Sequence, residues 1–181
     1  MALGIVSRIV DTVAGAPDWI GLVLSPWLAA PWSAGAWIAR RDGSLGWGAA
    51  GGVVLLAATV ATYLAMAGPD APSLVPGLPL LALVAGIGFG AIGAGVHDGG
   101  RGRLVAAIAL GATFTIEGLL LQWQASELPL ARTLFVAEAG AGVLVATWIA
   151  GWRAGMPVLV IGAVVLGIEI AVLANIGPTL A

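Results

Sequence analysis

LGWGAAGGVVLLAATVATYLAMA, residues 45 to 67, contains no charged side chain. A transmembrane helix needs about 20 apolar residues to cross the hydrocarbon core of a bilayer, so this stretch is predicted to be one. Five other apolar segments have a similar length: residues 19–39, 77–96, 103–122, 131–151 and 156–176. The predicted fold is therefore an all-α, polytopic transmembrane helix bundle with six long spans, a single domain over residues 1–181.

The composition also indicates an integral membrane protein. The chain is 60% hydrophobic and only 9% charged, with a mean hydropathy of +1.07, whereas about 25% of the residues of a soluble domain are charged. The lipid bilayer is therefore the main expected partner. The net charge of −2 gives no reason to expect a nucleic-acid partner. With no Cys and one His, the sequence predicts neither a metal site nor a cofactor.

The N-terminal segment 3–15 is apolar but shorter than the six long segments. Arg8 and Asp11 lie one helical turn apart within it and can pair. The segment is either a short seventh span or an amphipathic helix at the membrane interface. Its charges interrupt the apolar run, so cleavage as a signal peptide is not expected.

Arginine is concentrated in alternate loops, residues 40–44, 97–103 and 152–155. Cytoplasmic loops of membrane proteins carry an excess of Lys and Arg, so these three loops are predicted to be cytoplasmic and the C-terminus to lie outside. The chain has no Lys and is rich in Ala and Gly, a composition typical of high-GC bacteria. The predicted location is the bacterial inner (plasma) membrane, which the chain crosses several times.

Tryptophans occur in three kinds of place, of which the first is the predicted outer boundary, near Trp19 and Trp123. Trp27 and Trp32 lie deep in a segment that also contains Pro26 and Pro31. Proline removes a helical hydrogen bond and can kink or break a helix. The segment is therefore either a broken helix that lines a cavity or a Pro-kinked helix packed tightly on its neighbours. The third group lies near the predicted inner boundary and, with the outer pair, fits an aromatic belt: Trp37, Trp47, Trp148 and Trp152.

The motif GFGAIG, residues 88–93, matches the glycine pattern of dinucleotide-binding proteins. It lies inside a membrane segment, however, and not at a turn between a strand and a helix, as that motif requires. Small residues at helical spacing let helix backbones approach closely in membranes. The motif is therefore predicted to be a helix-packing surface.

Three glutamates interrupt otherwise apolar segments. Counting about 1.5 Å per residue from the predicted outer ends, each lies about 8 to 9 Å inside the membrane. The counts start from Gln122 for Glu117, from Arg132 for Glu138 and from Asn175 for Glu169. The sequence therefore predicts one layer of carboxylates in the outer leaflet.

A charged side chain within the membrane costs roughly 2.5–3.5 kcal/mol, and three converging carboxylates cannot all be charged without a cation. Glu117, Glu138 and Glu169 are therefore the candidate functional residues. Tyr63 reaches a comparable depth, and Trp27 and Trp32 complete the predicted ligand-binding set. The alternative is that each glutamate serves only as a hydrogen-bonding contact between helices.

The stretches APWSAGAWIA, GFGAIGAGVHDGGRGR, ALGATFTIEGLLL and LFVAEAGAGVL, in this order, resemble a family of small Ala/Gly-rich polytopic membrane proteins from high-GC Gram-positive bacteria. That family is known as an uncharacterised domain of unknown function. The resemblance implies an all-helical membrane bundle in which family members also tend to have Glu at the positions of Glu117 and Glu138. The family usually has Asn near the deep tryptophans, where this chain has Ser25.

Three functions remain open at this point. The first is binding or transport of a small solute, a cation or a proton through the carboxylate cluster. The second is a membrane enzyme acting on a lipidic or isoprenoid substrate, as small membrane terpene cyclases do. In that case one protonated glutamate is the general acid and the deep tryptophans stabilise a developing cation. The third is a structural subunit that packs against a membrane-protein partner or against further copies of the chain.

Overall fold

The computed structural model describes residues 24–42, 44–67, 77–124 and 129–176. Segment 3–15, with Arg8 and Asp11, lies outside the described residues. Over the described residues the chain is helical, which confirms the all-α prediction. The six α-helices are α1 (Leu24–Asp42), α2 (Leu45–Ala67), α3 (Leu78–Ala94), α4 (Gly100–Gln124), α5 (Pro129–Ala150) and α6 (Trp152–Ile176). A 3-10 turn, Gly95–His97, follows α3.

Five helices, α2 to α6, contain stretches long and apolar enough to cross a membrane. At most a third of each stretch is buried, so most of the apolar surface faces outward, as in a multi-pass membrane protein. Within its described residues α1 does not reach this hydropathy, because Ser25, two prolines and the charged end Arg40–Asp42 replace aliphatic residues. The described residues therefore contain five candidate spans, and the predicted count of six long spans is not confirmed.

Two loop boundaries differ from the prediction. Residues 152–155 were expected in a loop, but α6 begins at Trp152. Gly151 has φ +69° and reverses the chain by itself, since its N–H donates to the carbonyl of Thr147 at 2.7 Å. The loop at 97–103 is likewise shorter, because α4 already begins at Gly100.

Contacts divide the chain into two compact units, Met1–Ala106 and Ala107–Ala181. In the first unit, glycine lets helices touch backbone to backbone. A Cβ on Gly52 of α2 would lie 2.8 Å from the Cα of Gly90 in α3, and one on Gly93 would overlap the carbonyl of Trp32 in α1. Gly88 has open space around it. The motif GFGAIG is thus confirmed as a packing surface at Gly90 and Gly93.

Helix α1 is continuous through Pro31. Pro31 is among the most completely buried side chains of the described residues. At Pro31 the structure therefore shows the tightly packed helix and not the broken one.

In the second unit, α4 and α5 also meet through glycine. A Cβ on Gly111 would lie 2.6 Å from the carbonyl oxygen of Gly142, and the Thr115 hydroxyl donates to the carbonyl of Ala139 at 2.9 Å. By contrast, four other threonine hydroxyls donate to a carbonyl of their own helix: Thr59, Thr62, Thr113 and Thr147. Thr115 therefore ties α4 to α5, and we call this line of contacts the α4–α5 seam.

Candidate functional site

The aromatic residues of the predicted site belong to the first unit. Trp27 and Tyr63 pack edge to face with ring centroids 5.6 Å apart. Both are buried, in a cluster with Leu56, Val60 and Ala82. Trp32 donates its indole N–H to the carbonyl of Ala106 at 3.1 Å. Trp27 and Trp32 therefore each have a partner within the protein, Tyr63 for the Trp27 ring and Ala106 for the Trp32 indole N–H.

The three glutamates belong to the second unit, and the seam sets the relative height of two of them. A Cβ on Gly118 would lie 2.6 Å from the backbone nitrogen of Ala139 and would overlap the carbonyl of Phe135. Gly118 is therefore level with the turn of α5 between those residues. Glu117 precedes Gly118, and Glu138 belongs to that turn. Glu117 and Glu138 thus leave their helices at the same level, and we call them the carboxylate pair.

The position of Glu117 around α4 is fixed by the contacts of its neighbours. Thr115 and Leu119 contact α6 at Gly162. At about 100° per residue, Glu117 lies roughly 160° around the helix from both of them. Glu117 is therefore on the side of α4 opposite α6.

Glu138 occupies the corresponding place on α5. Thr147 contacts α6 at Gly155, and Glu138 lies nine residues away, about 180° around the helix. Since α6 touches both α4 and α5 on the same side of the seam, both members of the carboxylate pair lie on the opposite side. They share a level and a face.

Glu169 lies at a different level. It follows Gly162 by seven residues, about 10 Å along α6, and Gly162 is opposite Thr115. Glu117 is only two residues, about 3 Å, beyond Thr115 in the same direction. Glu169 is therefore about 8 Å nearer the Gln124 end of α4, on the face of α6 that packs against α4.

A second route through the structure gives the same level for Glu169. Helices α5 and α6 are antiparallel, and Gly155 is opposite Thr147. Glu169 lies fourteen residues after Gly155 in α6, and Thr133 lies fourteen residues before Thr147 in α5. Glu169 and Thr133 are therefore at the same level. Thr133 is five residues, about 8 Å, from Glu138. The packing thus places Glu117 and Glu138 at one level and leaves Glu169 in another layer.

Among the described residues, no three acidic or histidine side chains are close enough to hold a metal ion together. All three glutamates are half-buried. Two carboxylates at one level can bind a proton, a monovalent cation or an ammonium group, each of which relieves their mutual repulsion.

Two residues that position the carboxylate pair were not predicted from the sequence. Gly118 brings the backbones into contact beside the carboxylate pair, and Thr115 fixes the seam one turn below. A helical projection carries the necessary signal, because Gly111, Thr115 and Gly118 recur on one face of α4. Small residues at that spacing are typical of close helix packing in membranes.

Comparisons with protein families, curated proteins and solved structures give no match to this chain. The carboxylate pair and the membrane-like helices are therefore the functionally informative features of the chain.

Proposed function

We propose that this multi-pass membrane protein binds or transports a small cation, a proton or an amine-bearing solute at the carboxylate pair. The observation that carries the proposal is the position of Glu117 and Glu138 at one level and on one face of the α4–α5 seam. Glu169, about 8 Å away along the bundle by helical rise, is not part of the proposed binding site.

The energetic cost of the pair supports a functional role. Each charged side chain inside a span costs roughly 2.5–3.5 kcal/mol, and two at one level add repulsion to that cost. One glutamate is enough for a hydrogen-bonded contact between helices, and Thr115 already provides such a contact in the seam. A second carboxylate beside the first therefore favours binding over packing alone.

The chemistry of two adjacent carboxylates suggests exchange. A monovalent cation or an ammonium group neutralises one negative charge, and a proton neutralises the other. Binding of the solute and binding of a proton are then linked, because each changes the cost of the remaining charge. Such linkage is the basis of proton-coupled transport.

The aromatic contacts favour this function over the enzyme. Trp27 packs on Tyr63 in the core of the first unit, and Trp32 binds a backbone carbonyl. Stabilising a carbocation needs an aromatic face open to the substrate. The ring of Trp27 is instead buried and holds α1 to α2.

We propose the bacterial inner membrane as the location, with the arginine-bearing segments 40–44, 97–103 and 152–155 at the cytoplasmic side and the C-terminus outside. The alternation of the arginines supports this orientation. The carboxylate pair then lies in the outer leaflet and is accessible from outside.

Replacing either carboxylate by its amide tests the proposal. We expect Glu117→Gln and Glu138→Gln each to slow pH-gradient-driven uptake into proteoliposomes by about tenfold, because losing one charge contact of about 1.4 kcal/mol changes affinity tenfold. The probes are sodium, methylammonium and tetraphenylphosphonium, each measured separately.

Glu169→Gln is the matched control, since it makes the same chemical change in another layer. Its uptake should stay within about twofold of wild type, as expected for a half-exposed site outside the binding layer. The proposal fails if none of the three probes shows uptake that depends on Glu117 and Glu138. It also fails if Glu169→Gln reduces uptake as much as the other two.

A further inference from the structure

Four exposed arginines lie at one end of the first unit: Arg40, Arg41, Arg101 and Arg103. We call this group the arginine surface. Helix α1 ends there and α2 begins there. Helix α3 ends at the same place, since a Cβ on Gly48 of α2 would lie 2.6 Å from the Cβ of Ala94. The 3-10 turn packs against both α1 and α3 and leads into α4.

The turn before α4 displays its arginines outward. Gly99 and Gly100 have φ of +70° and +45°, which allows a tight reversal that other residues rarely adopt. Gly102 sits close to the end of α3, because its Cβ would lie 2.8 Å from the carbonyl oxygen of Gly95. Arg101 and Arg103 flank Gly102 and are both exposed.

The arginine surface keeps a net positive formal charge when the acidic residues nearby are counted. The segments 40–42 and 97–103 contain four arginines, together with Asp42 and Asp98, a formal surplus of two positive charges. The Asp98 carboxylate lies beside the first turn of α4, with one oxygen 3.6 Å from where a Gly102 Cβ would be. Carboxylates are favoured at helix N-termini, and Asp98 stands at that of α4.

Aromatic residues place the arginine surface at the level of lipid headgroups. Trp37 and Trp47 are 56% and 64% exposed and lie within two turns of the turn between α1 and α2. Exposed tryptophans concentrate at the membrane–water interface. The Arg41 guanidinium stacks over the Trp37 ring at 4.6 Å from its centroid. A guanidinium held in this way keeps its N–H donors available for phosphate.

We propose that the arginine surface binds the phosphate groups of anionic phospholipids in the adjacent leaflet. Arginine forms two parallel hydrogen bonds with phosphate, and anionic lipid attracts each nearby arginine. The lipid tails then lie along the exposed apolar sides of the first unit. This function is independent of the carboxylate pair, which belongs to the second unit.

Quenching of tryptophan fluorescence by brominated lipids tests the proposal on the full chain in liposomes. Brominated phosphatidylglycerol is expected to quench more strongly than brominated phosphatidylcholine at equal fraction. The relative affinity for phosphatidylglycerol should fall at least about fivefold in Arg40→Gln/Arg41→Gln and in Arg101→Gln/Arg103→Gln, given the attraction of one arginine to an anionic surface.

The control is Arg132→Gln/Arg153→Gln, which removes two positive charges from the second unit. It should keep most of the wild-type preference. Thermal unfolding in phosphatidylcholine shows that each variant is folded. Equal quenching of the wild type by the two lipids would overturn the proposal. So would a loss of preference in the control as large as in the arginine-surface variants.

Discussion

Gly90→Leu is expected to lower the free energy of unfolding by about 3 kcal/mol, at the upper end of the usual cost of overpacking. A Cβ at Gly90 would lie 3.0 Å from the Cα of Gly52 and 3.1 Å from the Cα of Ala49, and it would overlap the carbonyl of Gly48. All three neighbours are backbone atoms. Helices α2 and α3 must therefore separate, since no side chain can rotate away.

The measurement is unfolding of the purified protein in mixed micelles, followed by circular dichroism. Gly88→Leu is the control, because it makes the same change two residues earlier in the same motif. A Cβ at Gly88 has nothing within 4 Å, so the effect should stay within about 0.5 kcal/mol. Equal destabilisation by the two substitutions would contradict the packing described for GFGAIG.

Gly118→Leu is expected to damage stability and function together. Its Cβ would overlap the carbonyl of Phe135 and lie 2.6 Å from the nitrogen of Ala139. Separating α4 from α5 at this point should cost about 3 kcal/mol. It should also move Glu117 away from Glu138, so uptake that depends on the carboxylate pair should be lost.

Gly140→Leu is the matched control for this second prediction. Gly140 lies on α5 close to the carboxylate layer, is exposed, and has no atom within 4 Å of an added Cβ. Stability and uptake in proteoliposomes should both remain near wild type. Wild-type uptake in Gly118→Leu would show that the seam does not position the carboxylates.

The spans could be predicted from sequence because lipid imposes a length and a polarity on each of them. Residues 45–67 were expected as a helix, and α2 has these bounds. The residue at which α6 begins could not be predicted from length and polarity. Gly151 reverses the chain in one residue through its positive φ, and the hydropathy pattern carries no information about backbone dihedrals.

The carboxylate site was only partly predictable. Counting from helix ends gave Glu117 and Glu138 similar depths, and the contact at Gly118 places them at one level. The same counting placed Glu169 in that layer because it assumed that all helices end together. Contacts of Gly162 and Gly155 set the height of α6 instead. The face of the helix on which each glutamate lies could also be found only from these contacts, since the helices are almost uniformly apolar.

The central claim, that Glu117 and Glu138 share a level and a face while Glu169 does not, can be measured by cross-linking. The chain contains no cysteine, so Glu117→Cys/Glu138→Cys and Glu117→Cys/Glu169→Cys each contain only two thiols. A protease site inserted within residues 125–128 separates the two halves unless a short bifunctional methanethiosulfonate reagent joins them.

We expect rapid cross-linking of the 117–138 pair in membranes and little of the 117–169 pair, because the second pair lies in different layers on opposite sides of α4. Cross-linking of 117–169 as fast as that of 117–138 would contradict the account.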